Sequence, residues 1–131
     1  MFPHTITIFN LVKDTYYRKI VTDVFATTKK VISPEGKGEK YVPVHDIIIS
    51  NIAMKDYLDV DSYKKLEDKS NNYTLRNDDI VVVGEFEEIT DLLDIQKTNA
   101  DYFLIKTISI NNYGSEELQS IEVTDWISRH I

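Results

Sequence analysis

The feature that most constrains this fold is the abundance of side chains branched at Cβ. Ile, Val and Thr account for 39 of the 131 residues, whereas Ala and Leu together supply 11. Branched side chains lose rotamer freedom in a helix and pack well on a pleated sheet. The sequence therefore predicts a mainly β fold.

Alternation of apolar and polar residues, interrupted by turn residues, predicts six antiparallel strands. They cover residues 4–12, 16–32, 41–52, 80–86, 103–111 and 118–127. In the second strand the alternation places Ile20, Val24 and Ala26 on the face opposite to Val21. The fourth strand is apolar at successive positions, which predicts that it is buried on both faces.

Between the fourth and fifth strands, one short helix is predicted. Ile89, Leu92, Leu93 and Gln96 follow a helical stripe, and Thr90 could cap it. Residues 53–77 have weak periodicity, which predicts an irregular helical turn or a long ordered loop. We therefore expect a single domain over residues 1–131, a small β-barrel or sandwich with one short helix and a long loop insertion.

Composition excludes several classes of protein. The chain has no cysteine, so disulfides, thiolate metal sites and a cysteine nucleophile are impossible. The content of 42% apolar and 28% charged residues is typical of a globular domain. The apolar runs are short and the first ten residues lack a basic region followed by a long apolar one, so we expect neither a membrane span nor a signal peptide.

The net charge of −7 is concentrated in the middle of the chain. Residues 53–101 hold 6 basic and 13 acidic residues, a balance of −7. This acidity argues against a protein that grips nucleic acid, because phosphate neutralisation needs clustered Lys and Arg. Lys29 and Lys30 belong to the main basic concentration, which is either a solvated hairpin or a contact with DNA or an acidic partner.

Two groups of acidic residues are candidates for a metal site or for acid–base chemistry. Asp56, Asp59 and Asp61 alternate as calcium ligands can, but the sequence lacks the central Gly and distant Glu of an EF-hand, which favours a solvated loop. Glu85 and Glu87 could perform acid–base chemistry, yet no nucleophile or oxyanion donor lies nearby. We predict no catalytic residue and no bound cofactor.

The histidines and the isolated glycine also have structural interpretations. His4, His45 and His130 match no metal-binding spacing, and a meeting of His4 with His45 across paired strands would supply only two ligands, so no metal site is predicted. Gly84 opens no phosphate-binding loop and is interpreted as a bulge or a close backbone approach. Trp126 either closes the barrel or anchors a subunit interface.

Three stretches of the sequence resemble a known family. The opening HTITIFN, the segment DDIVVVGEFEEITD and the closing IKTISINNYGSEELQSIEV resemble small neck proteins of tailed bacteriophages that infect low-GC Gram-positive bacteria. That family comprises minor capsid, head-closure and head–tail connector proteins. The segment LQSI, with Trp126 only later, departs from the His-Trp and Gly-rich end that is common there.

The resemblance implies a structural virion protein, assembled in the bacterial cytoplasm. It implies a homo-oligomeric ring in the neck that contacts portal or adaptor proteins and tail proteins, while DNA passes without sequence-specific binding. The interface candidates are Asp56, Asp59, Asp61, Tyr63, Lys29, Lys30 and Trp126. A tail-completion or capsid decoration protein is an alternative of the same class, and a small-ligand-binding β-barrel is an alternative of another class.

Overall fold

The computed structural model describes residues 2–32, 41–111 and 119–125, and within them seven strands form one antiparallel sheet. The strands are β1 (His4–Val12), β2 (Thr15–Ile32), β3 (Tyr41–Ser50), β4 (Ile80–Val83), β5 (Tyr102–Leu104), β6 (Thr107–Asn111) and β7 (Ser120–Thr124). Their order is β5-β4-β1-β2-β3-β7-β6, and the sheet curls into a half-barrel. The prediction of a mainly β fold is confirmed.

A two-residue turn joins β1 to β2. Lys13 and Asp14 have φ values of 48° and 67°, the left-handed conformation that both central residues of a type I′ turn require. The twist of this turn matches the twist of the flanking strands. The turn sets the pairing of Val12 with Thr15, and from there the register of the other residue pairs between β1 and β2.

An extra residue in β2 changes which side chains face the core. The register shifts so that His4 pairs with Val24 while Thr5 pairs with Thr22, and Asp23, at φ 62°, is the residue left over. This bulge brings Val21 onto the same buried face as Val24. The predicted strict alternation through β2 is therefore wrong, because a bulge reverses the facing of every residue beyond it.

The concave side of the sheet holds the main core. Its buried members come from six of the strands, from the segment after β3 and from Ile105, between β5 and β6. They are Ile6, Ile8, Val21, Val24, Ile47, Ile49, Ala53, Tyr73, Leu75, Val81, Phe103, Ile105, Ile121 and Val123. Side chains from strands far apart in the sequence thus meet, as in other small barrels.

β4 is buried on both faces, as its apolar sequence predicts. Val81 lies in the main core, whereas Ile80 and Val82 pack on the convex side beneath residues 85–100, which we call the outer layer. The start of this layer is held by Thr7, whose hydroxyl donates to the carbonyl of Gly84 at 2.8 Å and accepts from the amide of Phe86 at 3.0 Å.

The helix predicted in the outer layer is shorter than expected. Helix α2 covers only Leu93–Gln96. Leu93 is exposed, so the side chains that pack inward follow the spacing of Ile89, Leu92 and Ile95. The predicted capping by Thr90 is reversed, because the carboxylate of Asp94 accepts from the Thr90 amide and hydroxyl.

The two edge strands of the sheet are consecutive in the chain. β5 pairs with β4 and β6 pairs with β7, with only Ile105 and Lys106 between them. The Ile105 amide donates to the carbonyl of Asp79, and the Lys106 amide donates to that of Thr124. The predicted single fifth strand is therefore two strands, because the chain changes partners at this crossing point.

Residues 53–77 form a compact excursion after β3. They contain a 3-10 turn at Ala53–Asp56 and helix α1 at Val60–Lys64. Tyr57 and Tyr73 form a parallel bridge, and Tyr73 and Tyr63 are fully buried. The excursion therefore contributes side chains to the core. In the described part of the chain, no helix has the length and apolar character needed to cross a bilayer.

Candidate functional site

The most distinctive polar site is a histidine held between two carboxylates. His45 Nδ1 lies 2.8 Å from Asp125 Oδ2, and His45 Nε2 lies 2.7 Å from Asp101 Oδ1. The His45 side chain is 11% exposed, against 22% for Asp125 and 56% for Asp101. We call this arrangement the His45 bridge.

Each member of the His45 bridge stands at the end of a strand pairing. β7 ends at Thr124, and the carboxylate of Asp125 then accepts the His45 amide at 2.8 Å, so a side chain prolongs the ladder between β3 and β7. Asp101 precedes β5, and its carbonyl accepts from the Val83 amide at 2.8 Å. His45 therefore ties the β3–β7 pair to the β4–β5 pair.

The ring of His45 is also fixed by stacking. It lies parallel to the ring of Phe103, with centroids 4.9 Å apart and an angle of 14° between the planes. Phe103 belongs to the main core, so one face of the imidazole contacts apolar surface while its nitrogens reach the two carboxylates. The ring thus has one orientation in which all its polar atoms are partnered.

The geometry favours the imidazolium form of His45. An ionised carboxylate only accepts hydrogen bonds, so two carboxylates on one ring require a proton on each nitrogen. Burial acts to lower the pKa of His45, but the hydrogen bonds to Asp125 and Asp101 outweigh it and raise the pKa above its ordinary value. The bridge is therefore a charged group between two opposite charges.

The same geometry argues against a catalytic role for His45. A general base needs a free nitrogen within reach of a substrate proton. Both nitrogens of His45 are already bound to carboxylates, and its side chain is nearly buried. The His45 bridge can hold the β3–β7 pair to the β4–β5 pair, and the strength of this link depends on the protonation of His45.

A second buried polar cluster joins β1 to the approach to β4. Asp79, which is 3% exposed, accepts from the Asn10 amide group at 2.8 Å and from Arg76 at 3.1 and 3.2 Å. Asn10 also donates to the carbonyl of Thr74 at 2.7 Å, and Arg76 donates to the carbonyl of Leu11. We call this set the Asp79 cluster.

Tyr63 lies close to the Asp79 cluster without bonding to it. Burial, and then the negative charge of Asp79, raise the pKa of Tyr63 to about 12. Within the described residues its buried hydroxyl has no hydrogen-bond partner. In contrast, the hydroxyl of Tyr73 donates to the carbonyl of Ala53 at 2.9 Å.

The predicted interface residues are scattered over the molecule. Lys29 and Lys30 are exposed on β2. In the excursion, Asp56 lies 3.6 Å from the amino group of Lys19, and Asp59 caps α1 by accepting from the Ser62 amide at 3.2 Å. Asp61, in the first turn of α1, is exposed.

Tyr63, another of the interface candidates, is 1% exposed, and its side chain packs inside the domain. Trp126 lies outside the described residues.

His4 and His45 do not meet. His4 Nδ1 accepts from the Ala26 amide at 2.9 Å, two strands away from the bridge on β3. His130 lies outside the described residues. Across residues 2–32, 41–111 and 119–125, no group of three His, Asp or Glu side chains is arranged to hold a metal ion.

The acidic excess of residues 53–101 is not spread evenly along that stretch. Residues 53–77 contain five acidic and five basic residues, so the excursion is neutral. Residues 78–101 contain eight acidic residues and one basic residue, which gives −7. Glu85, Glu87, Glu88 and Asp91 are all exposed on the outer layer.

Sequence reasoning missed the carboxylates of the His45 bridge. Asp101 and Asp125 stand 56 and 80 residues from His45, so no local spacing could connect them. The sequence signal for them is weak: Asp101 lies near the start of the predicted strand 103–111, and Asp125 lies inside the predicted strand 118–127. Placing them together required the order of the strands.

Comparison with known proteins identifies the family but no activity. Residues 1–124 match the model of a family of unknown function, DUF6751. The chain belongs to this family. Searches of curated proteins and of solved structures each returned no match.

Proposed function

We propose that this member of the DUF6751 family is a non-enzymatic structural protein of a tailed-phage neck, forming a ring that joins the portal or adaptor to the tail. The observation that carries the proposal is the filled interior of the half-barrel. Ile6, Ile8, Ile47, Ile49, Ile105 and Ile121 are each at most 1% exposed. Because side chains fill the interior, the contacts that carry the function must be made by the surface. An assembly protein works in this way. The resemblance of the three sequence segments to neck proteins gives that surface a specific role.

The same packing disfavours the alternative of a small-ligand-binding barrel. A ligand site of that class is a concave pocket with a few convergent polar groups. The cleft between β2 and the 3-10 turn has a volume of about 250 Å³ and is lined by Lys19, Lys55 and Asp56 at the surface. Glu85 and Glu87, the carboxylates considered for such a site, are exposed on the outer layer.

The charge distribution suggests how a neck subunit would face DNA. A conduit for DNA must not bind phosphate tightly, and negative side chains repel it. The outer layer holds five acidic residues and one basic residue, whereas the excursion is neutral. We therefore assign the outer layer, rather than the excursion, to the side of the ring nearer the channel.

Deletion of the gene from the phage that carries it tests the proposal directly. We expect DNA-filled heads without tails in the lysate, seen by negative-stain electron microscopy, and recovery of infectivity when the chain is supplied from a plasmid. A map of the assembled particle should place a ring of this chain on the head–tail axis. Infectious particles that lack the chain would contradict the proposal.

Charge reversal tests the assignment of the outer layer. The variant that changes Glu85, Glu87, Glu88 and Asp91 to Lys should slow DNA release from purified particles, because positive side chains retain phosphate. Changing Asp59, Asp61, Glu67 and Asp68 to Lys alters the excursion by the same charge and is the matched control. Equal release from both variants would remove the assignment.

A tail-completion protein or a capsid decoration protein is an alternative of the same structural class. These alternatives predict the same fold and the same lack of turnover, but a different position in the particle. A decoration protein would lie on the capsid lattice, and a tail-completion protein would stay with free tails after the heads are removed. Mass spectrometry of separated heads and tails distinguishes them.

A further inference from the structure

β5 and β7 separate from each other beyond Ile105 and Lys106, where the chain crosses from one edge of the sheet to the other. We call the gap between these two strands the seam. Residues 102–111 pair with β4 through their first part and with β7 through their second part. Among the described residues, β5 and β7 are not hydrogen-bonded neighbours, and the Lys106 amide bound to the Thr124 carbonyl lies where they diverge. The His45 bridge spans the two strands beyond this point.

The bridge is the polar link across this seam. On one side Asp125 binds both the amide and the ring of His45, and on the other side Asp101 binds the ring. These two aspartates are the charged groups that act on the ring. Asp46, the next residue on β3, points to the opposite face of the sheet, and Phe103 contributes only its apolar ring.

We propose that the proton on His45 is a switch that closes the seam, and that its loss releases Asp101 and the start of β5 from β3 and β7. When the ring loses a proton, one nitrogen presents a lone pair to a carboxylate, and that contact changes from attractive to repulsive. Asp101 is the partner that yields, because it is the more exposed of the two aspartates and Asp125 keeps its bond to the His45 amide.

The direction of the switch follows from linkage. A histidine whose pKa is raised by folding contributes stability that is fully present below its unfolded pKa and is lost as the pH rises through its folded pKa. The seam is therefore closed at mildly acidic pH and opens on the alkaline side. This inference does not depend on the proposed role in a phage neck.

Hydrogen exchange of the whole chain tests the proposal together with imidazole NMR. The ¹⁵N signals of His45 give its titration midpoint, which we expect above 6.5. Across that midpoint the exchange protection of the Val83 amide, which donates to the Asp101 carbonyl, should fall by about tenfold for each unit by which the midpoint exceeds 6.5. The His45 amide, which stays bound to Asp125, should keep its protection. Protection of amides in the β1–β2 ladder should stay constant.

Two variants make the test specific. Asp101→Asn removes one carboxylate from the ring and should lower the His45 midpoint and shrink the loss of protection. Asp61→Asn makes the same change at an exposed site on α1 and should alter neither quantity. The proposal fails if His45 titrates at or below 6.5, if it titrates while Val83 stays protected, or if both variants behave alike. The wild-type measurement decides even if Asp101→Asn does not fold.

Discussion

The His45 bridge and the Asp79 cluster solve the same structural problem with different chemistry. Each brings a buried or nearly buried charged group to the end of a strand and satisfies it with oppositely charged and polar partners. Arg76 keeps its charge throughout the physiological range, whereas His45 can lose its charge near neutrality. Both sites give their charged group hydrogen-bond partners, yet they differ in their response to pH. The Asp79 cluster is a permanent link between strands, whereas the His45 bridge is a link that responds to pH.

The largest effect should come from breaking the permanent link. Asp79→Ala removes the carboxylate that Arg76 and the Asn10 side chain share and leaves the Arg76 charge without its partner, and we expect the free energy of unfolding to fall by about 3 kcal/mol. We expect the same loss at pH 6 and pH 8, since the Asp79 cluster contains no histidine. Urea denaturation at both pH values measures it, and a loss confined to one pH would contradict the contrast with His45.

The next effect should depend on pH. His45→Gln removes the imidazolium, and we expect a loss of about 2 kcal/mol at pH 6. The pKa of His45 is raised in the folded state, so the wild-type advantage should be largest below about 6.5 and should shrink as the pH rises through the folded pKa. Urea denaturation from pH 5.5 to 9 measures it. A gap of constant size would show that the bridge contributes only packing against Phe103.

A smaller change tests whether the shape of the Arg76 side chain, or only its charge, holds the Asp79 cluster together. Arg76→Lys keeps the positive charge but loses the planar fork that reaches both oxygens of Asp79 and the Leu11 carbonyl. We expect a loss of about 1 kcal/mol in thermal or urea denaturation. Lys65→Arg, a charge-preserving change at an exposed residue of the excursion, is the control. No loss in Arg76→Lys would mean that charge alone holds the cluster.

The smallest effect should have the opposite sign. Tyr63→Phe removes a buried hydroxyl without a partner beside the Asp79 cluster, so we expect stability to be unchanged or to rise by up to about 1 kcal/mol. Tyr73→Phe is the matched control and should cost about 1 kcal/mol, since its hydroxyl bonds to the Ala53 carbonyl. Denaturation of both variants side by side measures the difference. A larger loss in Tyr63→Phe would reveal a partner for its hydroxyl.

The sequence predicted the strands well because burial on one face leaves a period of two in the chain. β1 begins and ends where the pattern places it, and β4 is buried on both faces as its apolar run indicates. The pattern failed at Asp23 and at Ile105, where a bulge and a change of strand partner occur. Both depend on pairing with distant strands, which alternation within one segment does not encode.

The site was less predictable than the fold. The sequence offers His45 as a candidate, but its partners come from the start of β5 and the end of β7. The burial of Tyr63 and Tyr73 was not predicted either, because weak periodicity indicates an irregular turn or loop without indicating which of its side chains are buried. A buried tyrosine on a helix of five residues leaves too few neighbours to form a recognisable stripe.

The placement of β4 next to β1 has a consequence for synthesis of the chain. β1, β2 and β3 form a meander that is complete once Ser50 has been made, but β1 gains its second neighbour only when residues 80–83 emerge. Until then Ile6 and Ile8 have an uncovered apolar face. Pairing across such a separation is slow, and the waiting intermediate is exposed to aggregation. The nascent protein is therefore vulnerable from the time the meander has emerged until residues 80–83 emerge from the ribosome.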